Sequence, residues 1–279
     1  MLKNYLKSKG YEMSETKKKQ VKKERRINII VYLVLRFLVI VCMVEQSLKG
    51  NWHAVALCFL TLILFTLPTI ASRTFKLKLP TTLEIIVYLF IYAAEILGEI
   101  QNFYGIFQHW DTMLHTLNGF LAAAVGFSLI DILNRTERFH IKMTPIFVAL
   151  VAFCFSMTIG VLWEFCEFAA DRYLNLDMQK DRIVQKISSV ELNKENKNDP
   201  VIIDNINKTE IYSNNNKKVT TIENGYLDLG IIDTMKDLIV NFIGALVFSI
   251  LGFLYIKDRD EYKFIERFVP VMKKFKEET

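Results

Sequence analysis

Six long apolar runs constrain the fold of this chain more than any other feature of its sequence. They span residues 27–46, 52–72, 81–100, 113–132, 144–170 and 230–256. A helix of about 20 mostly apolar residues crosses the hydrocarbon core of a bilayer, and six such runs exceed what the core of one water-soluble domain would bury. The pattern predicts an all-α fold, a polytopic membrane helix bundle of about six transmembrane helices.

The distribution of Lys and Arg predicts how the bundle is oriented, because short loops that stay in the cytoplasm carry an excess of these residues. The segment before the first run is strongly basic, the loops after the second and fourth runs hold three Lys or Arg residues each, and the loop between the third and fourth runs has none. Both termini are therefore predicted to be cytoplasmic. The predicted organisation is a basic cytoplasmic N-terminal segment (1–26), transmembrane helices 1–5 (27–171), an external polar loop (172–228), transmembrane helix 6 (229–256) and a cytoplasmic tail (257–279).

The external loop is rich in Lys, Asn, Asp and Ile and shows no sustained helical period. Such a composition, which approaches low complexity, is typical of segments that do not form a packed core. We interpret residues 172–228 as a mostly mobile loop with one short pair of strands, around 201–203 and 219–222.

Composition disfavours two classes of function. The net charge of +5 comes from basic residues at the edges of the apolar runs, where they orient helices, so no nucleic-acid partner is expected. The four cysteines lie inside apolar runs without a CxxC pair, which indicates buried thiols rather than a disulfide framework or a zinc site. They are Cys42, Cys58, Cys154 and Cys166.

Acidic residues inside the runs concentrate at one end of the predicted bundle. A charged side chain in mid-bilayer costs about 2.5–3.5 kcal/mol on insertion scales and commonly marks a functional site. Four helices carry polar residues at the outer level: Glu95 and Glu99 on the third, Asp111 and His115 on the fourth, Glu164, Glu167 and Asp171 on the fifth, and Asp233, Asp237 and Asn241 on the sixth. Steps of three or four residues place each of the last three sets on one helix face.

Carboxylates at such density repel one another unless they are protonated, solvated or neutralised by a cation. Carboxylates and imidazole on facing helices form metal centres in helix bundles, and an oxygen-rich set with one histidine suits zinc, manganese, magnesium or iron. The predicted ligands of a divalent metal ion are Asp111, His115, Glu164, Glu167, Asp233 and Asp237. Glu164 and Glu167 are also the candidate catalytic bases, and the same polar cavity is expected to include Glu95, Glu99, Asp171 and Asn241.

A purely structural interpretation of these acids remains open at this stage. Carboxylates at helix ends meet water and lipid headgroups, and Asp111 and Asp233 stand where the positive end of a helix dipole favours an acid. His115 taken alone is more typical of a packed, hydrogen-bonded histidine than of a metal ligand. The arrangement of four acidic helices at one level is what favours the metal interpretation.

The third run carries a polar stripe that crosses most of the membrane, as an ion or proton path would need. The stripe consists of Glu84, Tyr88, Tyr92, Glu95 and Glu99. The alternative is that the tyrosines only pack and that Glu84 caps the inner end. Near the middle of the first run, Arg36 is expected to pair with Glu95.

A set of short motifs gives the chain a family resemblance. Its parts are Trp110-Asp111 with His115 and Gly119, Trp163-Glu164-Phe165 with Glu167 and Asp171, Met178-Gln179, and Asp233-Thr234-Met235 with Asp237, Asn241 and Gly244. In this order they resemble the YjdF-like bacterial inner-membrane protein family, over about residues 30–256. The resemblance implies a membrane fold and a place for Gln179 among the site residues, and it implies no particular reaction.

Three functions fit these features. The first is a metal-dependent enzyme at the external face of the bacterial plasma membrane, acting on a lipid, lipid-linked or other small-molecule substrate; the second is a cation- or proton-coupled transporter. The third is a structural or sensory membrane protein whose external loop contacts a partner. Whether the protein is an enzyme stays open from the sequence.

The orientation predicts which positions a membrane-impermeant thiol reagent reaches from outside. In a variant without native cysteines, we expect a cysteine at Asn215 to be labelled in intact cells and one at Ser14 to be protected, because basic loops stay inside. The reverse pattern would overturn the topology.

Overall fold

The computed structural model describes residues 15–74, 77–135, 143–195, 197–214 and 217–272. The helices in these ranges are α1 (Glu15–Leu48), α2 (Trp52–Leu64), α3 (Leu67–Thr74), α4 (Thr81–Ile91), a π-helical segment (Tyr92–Ile100), α5 (Phe103–Ile106), α6 (Trp110–Arg135), α7 (Pro145–Leu174) and α8 (Ile231–Lys257). The labelling positions Ser14 and Asn215 lie outside the described residues.

Five helical stretches in the described ranges are long and apolar enough to cross a membrane. They are Lys19–Leu48, Trp52–Thr74, Trp110–Asn134, Pro145–Leu174 and Ile231–Lys257. The remaining predicted span coincides with α4 and the π segment, which together cover 81–100. The predicted fold class, a polytopic helical membrane bundle, is confirmed.

The helices pack as two groups, each around its own apolar core. Helices α1, α2 and α4 with the π segment enclose one core, in which Val39, Cys58 and Phe65 are fully buried. Helices α6, α7 and α8 pack closely on one another around a second core that includes Phe127 and Phe248. The second group carries all six of the predicted metal ligands, so it is the part of the fold that positions the site.

Two expectations about buried residues in these helices were wrong. Cys42 and Cys58 are buried free thiols, but Cys154 and Cys166 are exposed on the outer surface of α7, where a transmembrane helix meets lipid. Arg36 does not pair with Glu95; its guanidinium donates a 2.7 Å hydrogen bond to the hydroxyl of Tyr32, one helical turn away. The physical reason is proximity: the Tyr32 hydroxyl lies one turn away on the same helix and accepts the hydrogen bond of Arg36.

Short antiparallel strand pairs lie at both ends of the helix bundle. The segment after α7 contains β2 (Ile183–Val184), β3 (Ile187–Ser189), β4 (Val201–Ile203), β5 (Lys208–Tyr212), β6 (Lys218–Glu223) and β7 (Tyr226–Leu227), and the opposite end has β1 (Leu77–Lys78) and β8 (Val271–Met272). All pairs are antiparallel: β1 with β8, β2 with β7, β3 with β4, and β5 with β6.

The prediction of a single strand pair in the external loop is therefore wrong. The two predicted strands exist as β4 and β6, but each pairs with a different neighbour: β4 with β3 and β6 with β5. Short local hairpins cost less loop-closure entropy than the longer connection that the prediction required. The segment is a set of small antiparallel ladders above the end of α7 and α8.

Glycines set the separation of α6 and α8. A Cβ atom on Gly119 would lie 2.1 Å from the carbonyl oxygen of Asn241, and one on Gly244 would lie 2.0 Å from the carbonyl oxygen of Thr116. Both distances are far below van der Waals contact, so any side chain at these positions would force the helices apart. Small residues allow such close packing of membrane helices.

Gly119→Ala should therefore lower the thermal midpoint of the detergent-purified protein, since overpacking of this kind costs about 1–3 kcal/mol. Val125→Ile on the exposed surface of the same helix is the matched control and should leave the midpoint unchanged. Equal midpoints for Gly119→Ala and the wild-type protein would contradict the close contact of α6 and α8.

Candidate metal centre

The predicted ligands of α6 and α8 meet at the end of the bundle where both helices begin. Asp111 and His115 are one turn apart on α6, and Asp233 and Asp237 are one turn apart on α8. Because the two glycine contacts hold these helices close together, their polar faces turn toward each other. His115 is 9% exposed and Asp237 is 1% exposed, whereas the Asp111 side chain is 27% exposed, so the inner acid is shielded and the outer one is partly accessible.

Three of these residues converge on one point. The Nε2 atom of His115 lies 3.3 Å from Oδ1 of Asp111 and 3.8 Å from Oδ2 of Asp237, and one ligand atom from each residue lies within 4.8 Å of the others. Neighbouring ligand atoms of a tetrahedral zinc ion stand about 3.4 Å apart, because each bond is about 2.1 Å long. The group therefore offers one nitrogen and two carboxylate oxygens around one point, and the side chains would have to move closer together to bind an ion.

Glu164 of α7 lies beside this group, on the side of the His115 imidazole that carries Nδ1. Its Oε1 atom is 3.9 Å from Nδ1 of His115, and its Oε2 atom is buried without a hydrogen-bond partner. The buried Oδ1 atom of Asp237 likewise accepts no hydrogen bond. We call Asp111, His115, Glu164 and Asp237 the acidic centre.

Glu167 is buried beside this centre, but its carboxylate is hydrogen-bonded to a tryptophan. Its Oε1 atom accepts a 2.7 Å hydrogen bond from the indole of Trp163, one turn earlier on α7. The tryptophan is itself exposed on the helix surface. Of the two predicted catalytic bases, Glu164 is therefore the one that the fold places against His115 with a free oxygen.

Lys236 is a basic residue of the site that the sequence interpretation did not include. Its Nζ atom lies 3.5 Å from Oδ2 of Asp111 and 3.7 Å from Oδ1 of Asp237. It follows Asp233 by three positions on α8, so the same helical spacing that grouped the acids would have placed it near them. Lys236 thus adds a positive charge between two of the predicted acidic ligands.

Asp171 and Gln179 bind the chain that crosses the centre rather than the centre itself. We call residues 178–182 the strap. Asp171 at the end of α7 accepts hydrogen bonds from the backbone N–H groups of Met178 (2.5 Å) and Gln179 (2.8 Å), and the Gln179 amide donates to the hydroxyl of Thr234. These contacts hold the strap across the ends of α7 and α8.

The other end of the strap is held by Asp233 and Asp228. Asp233 accepts a 3.0 Å hydrogen bond from the backbone of Lys180 and lies 3.8 Å from the guanidinium of Arg182. Burial opposes the charged form of Asp228, but backbone donors including Arg182, Ile232 and Gly230 outweigh it and hold the pKa of Asp228 below its ordinary value. Asp233 thus contacts the strap, one turn above the acidic centre.

Asn241 lies on the inner side of the centre and is fully buried. Its side-chain oxygen accepts a hydrogen bond from Asn118, and its amide approaches the carbonyl of Ser156 on α7. The three helices are thus linked by amide contacts directly below the acids. Asn241 closes the floor of the site and offers no free oxygen to a metal.

Glu95 and Glu99 belong to a separate neighbourhood beside the centre. Glu99 is exposed and lines a cavity of about 190 Å³ together with Tyr104, Asn102 and Lys180, whereas Glu95 is half-buried on the π segment. Burial and the charge of nearby Glu99 raise the pKa of the Tyr104 phenol above its ordinary value. The cavity lies between the first helix group and the strap, next to the acidic centre.

Comparison with known proteins identifies a membrane protein family. A family described as "Predicted membrane protein (DUF2238)" matches residues 27–258, which covers the segment that carries the YjdF-like resemblance. A protein of Thermotoga maritima, described as an uncharacterized protein, is 25% identical over 107 residues, which is 38% of this chain and 53% of that protein. The alignment thus spans about half of that relative's length. No solved structure matches the chain.

Proposed function

We propose that this chain, which belongs to the DUF2238 family of predicted membrane proteins, is a metal-dependent enzyme that acts on a lipid or lipid-linked substrate at the external face of the bacterial plasma membrane. The acidic centre is the proposed metal site. Asp111, His115 and Asp237 are the proposed ligands, with Glu164 as a further ligand or as the general base.

The observation that carries this proposal is that two buried carboxylate oxygens, Oε2 of Glu164 and Oδ1 of Asp237, accept no hydrogen bond, although the ammonium of Lys236 lies 3.7 Å from the latter. A buried acceptor without a hydrogen bond costs about 1–3 kcal/mol, and more when it is charged. Both oxygens belong to the group that already brings a histidine nitrogen and a second aspartate together. A divalent cation satisfies these acceptors and neutralises the repulsion at the same time.

Hydrolysis is the chemistry that we propose for such a centre. A divalent cation held by these residues would lower the pKa of a bound water and polarise a phosphoryl or carbonyl oxygen. Glu164 would take the proton of the attacking water, the new bond to phosphorus or carbon would replace the bond to the leaving oxygen, and Glu164 would return the proton to that oxygen. A general base needs an oxygen within hydrogen-bond reach of its nucleophile, and this assignment is supported by Oε2 of Glu164, which accepts no hydrogen bond.

A membrane substrate is supported by the surface next to the centre. Trp163, Phe165 and Phe168 surround Glu164 and Glu167 on α7, and all three aromatic side chains are exposed. In a transmembrane helix such side chains face lipid, and tryptophan favours the interfacial level. The external location rests on the distribution of Lys and Arg among the short loops.

Metal removal should lower the thermal midpoint of the purified wild-type protein, and added manganese or zinc should restore it. At a free metal concentration about a hundredfold above Kd, binding contributes about 2.7 kcal/mol to the free energy of unfolding. Asp237→Asn and His115→Ala should lose most of this response and retain less metal in elemental analysis. Asp237→Asn should also be at least as stable as the metal-free wild-type protein, because it removes one repelling charge.

The matched control is Asp177→Asn, an exposed acid near the same end of the bundle. It should keep the metal content and the chelator response of the wild-type protein. A wild-type protein that carries no metal and whose midpoint ignores both chelator and added cations would refute the proposal. The acids would then be a protonated, hydrogen-bonded cluster.

Cation- or proton-coupled transport is the second candidate. It is favoured by carboxylates at both ends of one helical run, Glu84 on α4 and half-buried Glu95 on the π segment. Between them, however, Tyr88 is buried, with its ring centroid 5.2 Å from that of Tyr32. The buried ring packing shows that Tyr88 also has a structural role, which favours the packing interpretation of the tyrosines.

Two glutamine substitutions separate the candidates. An outer-face enzyme should tolerate Glu84→Gln, which lies far along the helix from the acidic centre, and should be more sensitive to Glu99→Gln beside the cavity. A transport path along the stripe should need both carboxylates equally. Severe and equal loss of cellular function in the two variants, with normal protein levels, would favour transport over the enzyme.

A further inference from the structure

We propose that Lys236 and Arg182 bind the phosphate group of a membrane-anchored substrate at the mouth of the acidic centre. This inference rests on the proposed function, because it names the substrate class of the same site. The two cations lie on different elements, Lys236 on α8 and Arg182 on the strap.

The first argument is that both cations are only loosely paired. The Nζ atom of Lys236 is 3.5 Å from Asp111 and 3.7 Å from Asp237, and the guanidinium of Arg182 is 3.8 Å from Asp233. Charge-assisted N–H···O bonds are normally about 2.7–2.9 Å long. Both side chains therefore retain donors that no carboxylate of the described residues has taken up.

The opposite end of the bundle contains an ion pair with a short hydrogen bond, which serves as a comparison. There, Arg259 donates a 2.8 Å hydrogen bond to Asp131, and its guanidinium also stacks on the ring of Tyr255. Asp131 is buried, and this pair links the end of α8 to α6. Lys236 and Arg182 make no contact of comparable quality.

The second argument is position. The side chain of Asp237 is 2% exposed, that of Lys236 is 29% exposed and that of Arg182 is 48% exposed. The cations thus stand between the buried carboxylates and the exterior. An incoming ligand meets them before it reaches the acids, and an anionic ligand needs such charges because the acids would otherwise repel it.

The third argument concerns what a metal ion would do to Lys236. A divalent cation on Asp111 and Asp237 would neutralise the carboxylates that now attract the ammonium group and would repel it directly. Lys236 would then need a different anion. A phosphate oxygen that also approaches the metal satisfies both positive groups, and the planar guanidinium of Arg182 matches a second phosphate oxygen.

The anchor of the phosphate is inferred from the exposed aromatic surface of α7. Trp163, Phe165 and Phe168 stand beside the centre and face outward, which suits acyl or prenyl chains in the bilayer. Free phosphate would gain nothing from this surface. The proposed ligand is therefore a lipid phosphate rather than a dissolved phosphate ion.

The test uses purified full-length protein with manganese and three probes: dihexanoyl phosphatidic acid, dihexanoylglycerol and inorganic phosphate. Binding is measured as the concentration dependence of the thermal midpoint, and metal content is measured in parallel. We expect phosphatidic acid to bind the wild-type protein more tightly than either other probe. Lys236→Met should weaken this binding at least about tenfold, the effect of losing one charged hydrogen bond, and it should keep or increase the metal content because it removes a competing cation.

Arg182→Gln is the second variant, chosen because the side chain is 48% exposed and glutamine keeps a polar group there, and it should weaken binding in the same direction. Lys186→Met is the matched control, an exposed lysine beyond the strap, and should bind like the wild-type protein.

Unchanged phosphatidic acid affinity in Lys236→Met and Arg182→Gln, with metal retained, would overturn this inference and leave the metal site intact. Inorganic phosphate binding as tightly as phosphatidic acid would overturn the lipid anchor. Loss of phosphatidic acid affinity in both variants of a protein that holds no metal would support the phosphate site and refute the metal proposal.

Discussion

The close contact between α6 and α8 determines where the polar groups of this protein lie. Gly119 and Gly244 let each helix touch the backbone of the other, and one turn further out this spacing brings His115 to within 3.8 Å of Asp237. The same spacing gathers Asp111 and Asp237 around that imidazole, and carboxylates crowded in a shielded site repel one another unless a positive group lies between them. Helix packing and site electrostatics are thus two consequences of the same contact.

The third helix of the group completes the site from a different direction. Helix α7 contributes Glu164 to the centre, uses Trp163 to hold Glu167, and ends with Asp171 receiving the strap. Each of these roles follows from a step of three or four residues along one helix. The outer part of α7 therefore contacts the acidic centre through Glu164 and the external segment through Asp171, while Trp163 is exposed at its surface.

The strap covers the outer side of the site and contacts its outermost acid. The backbone of Lys180 and the side chain of Arg182 both reach Asp233, so the acid nearest the surface is committed to the external segment. The deeper acids keep unpartnered oxygens. The outer acid is thus hydrogen-bonded to the external segment, whereas the deeper acids keep oxygens that accept no hydrogen bond, as the proposed ion-binding site would need.

The sequence alone was enough to predict the helical membrane bundle, since apolar runs of bilayer length and the helical spacing of acids depend only on local order along the chain. The same spacing predicted that Asp111, His115 and Asp237 share one level. The tertiary structure decided which groups make contact there: it turned Asp171 and Gln179 to the strap, placed Asn241 in the floor, paired Arg36 with Tyr32 and brought in Lys236. It also gave β4 and β6 separate partners. Spacing defines the face on which a side chain lies, but hydrogen-bond partners depend on distances between elements, and those distances arise only when helices and hairpins pack.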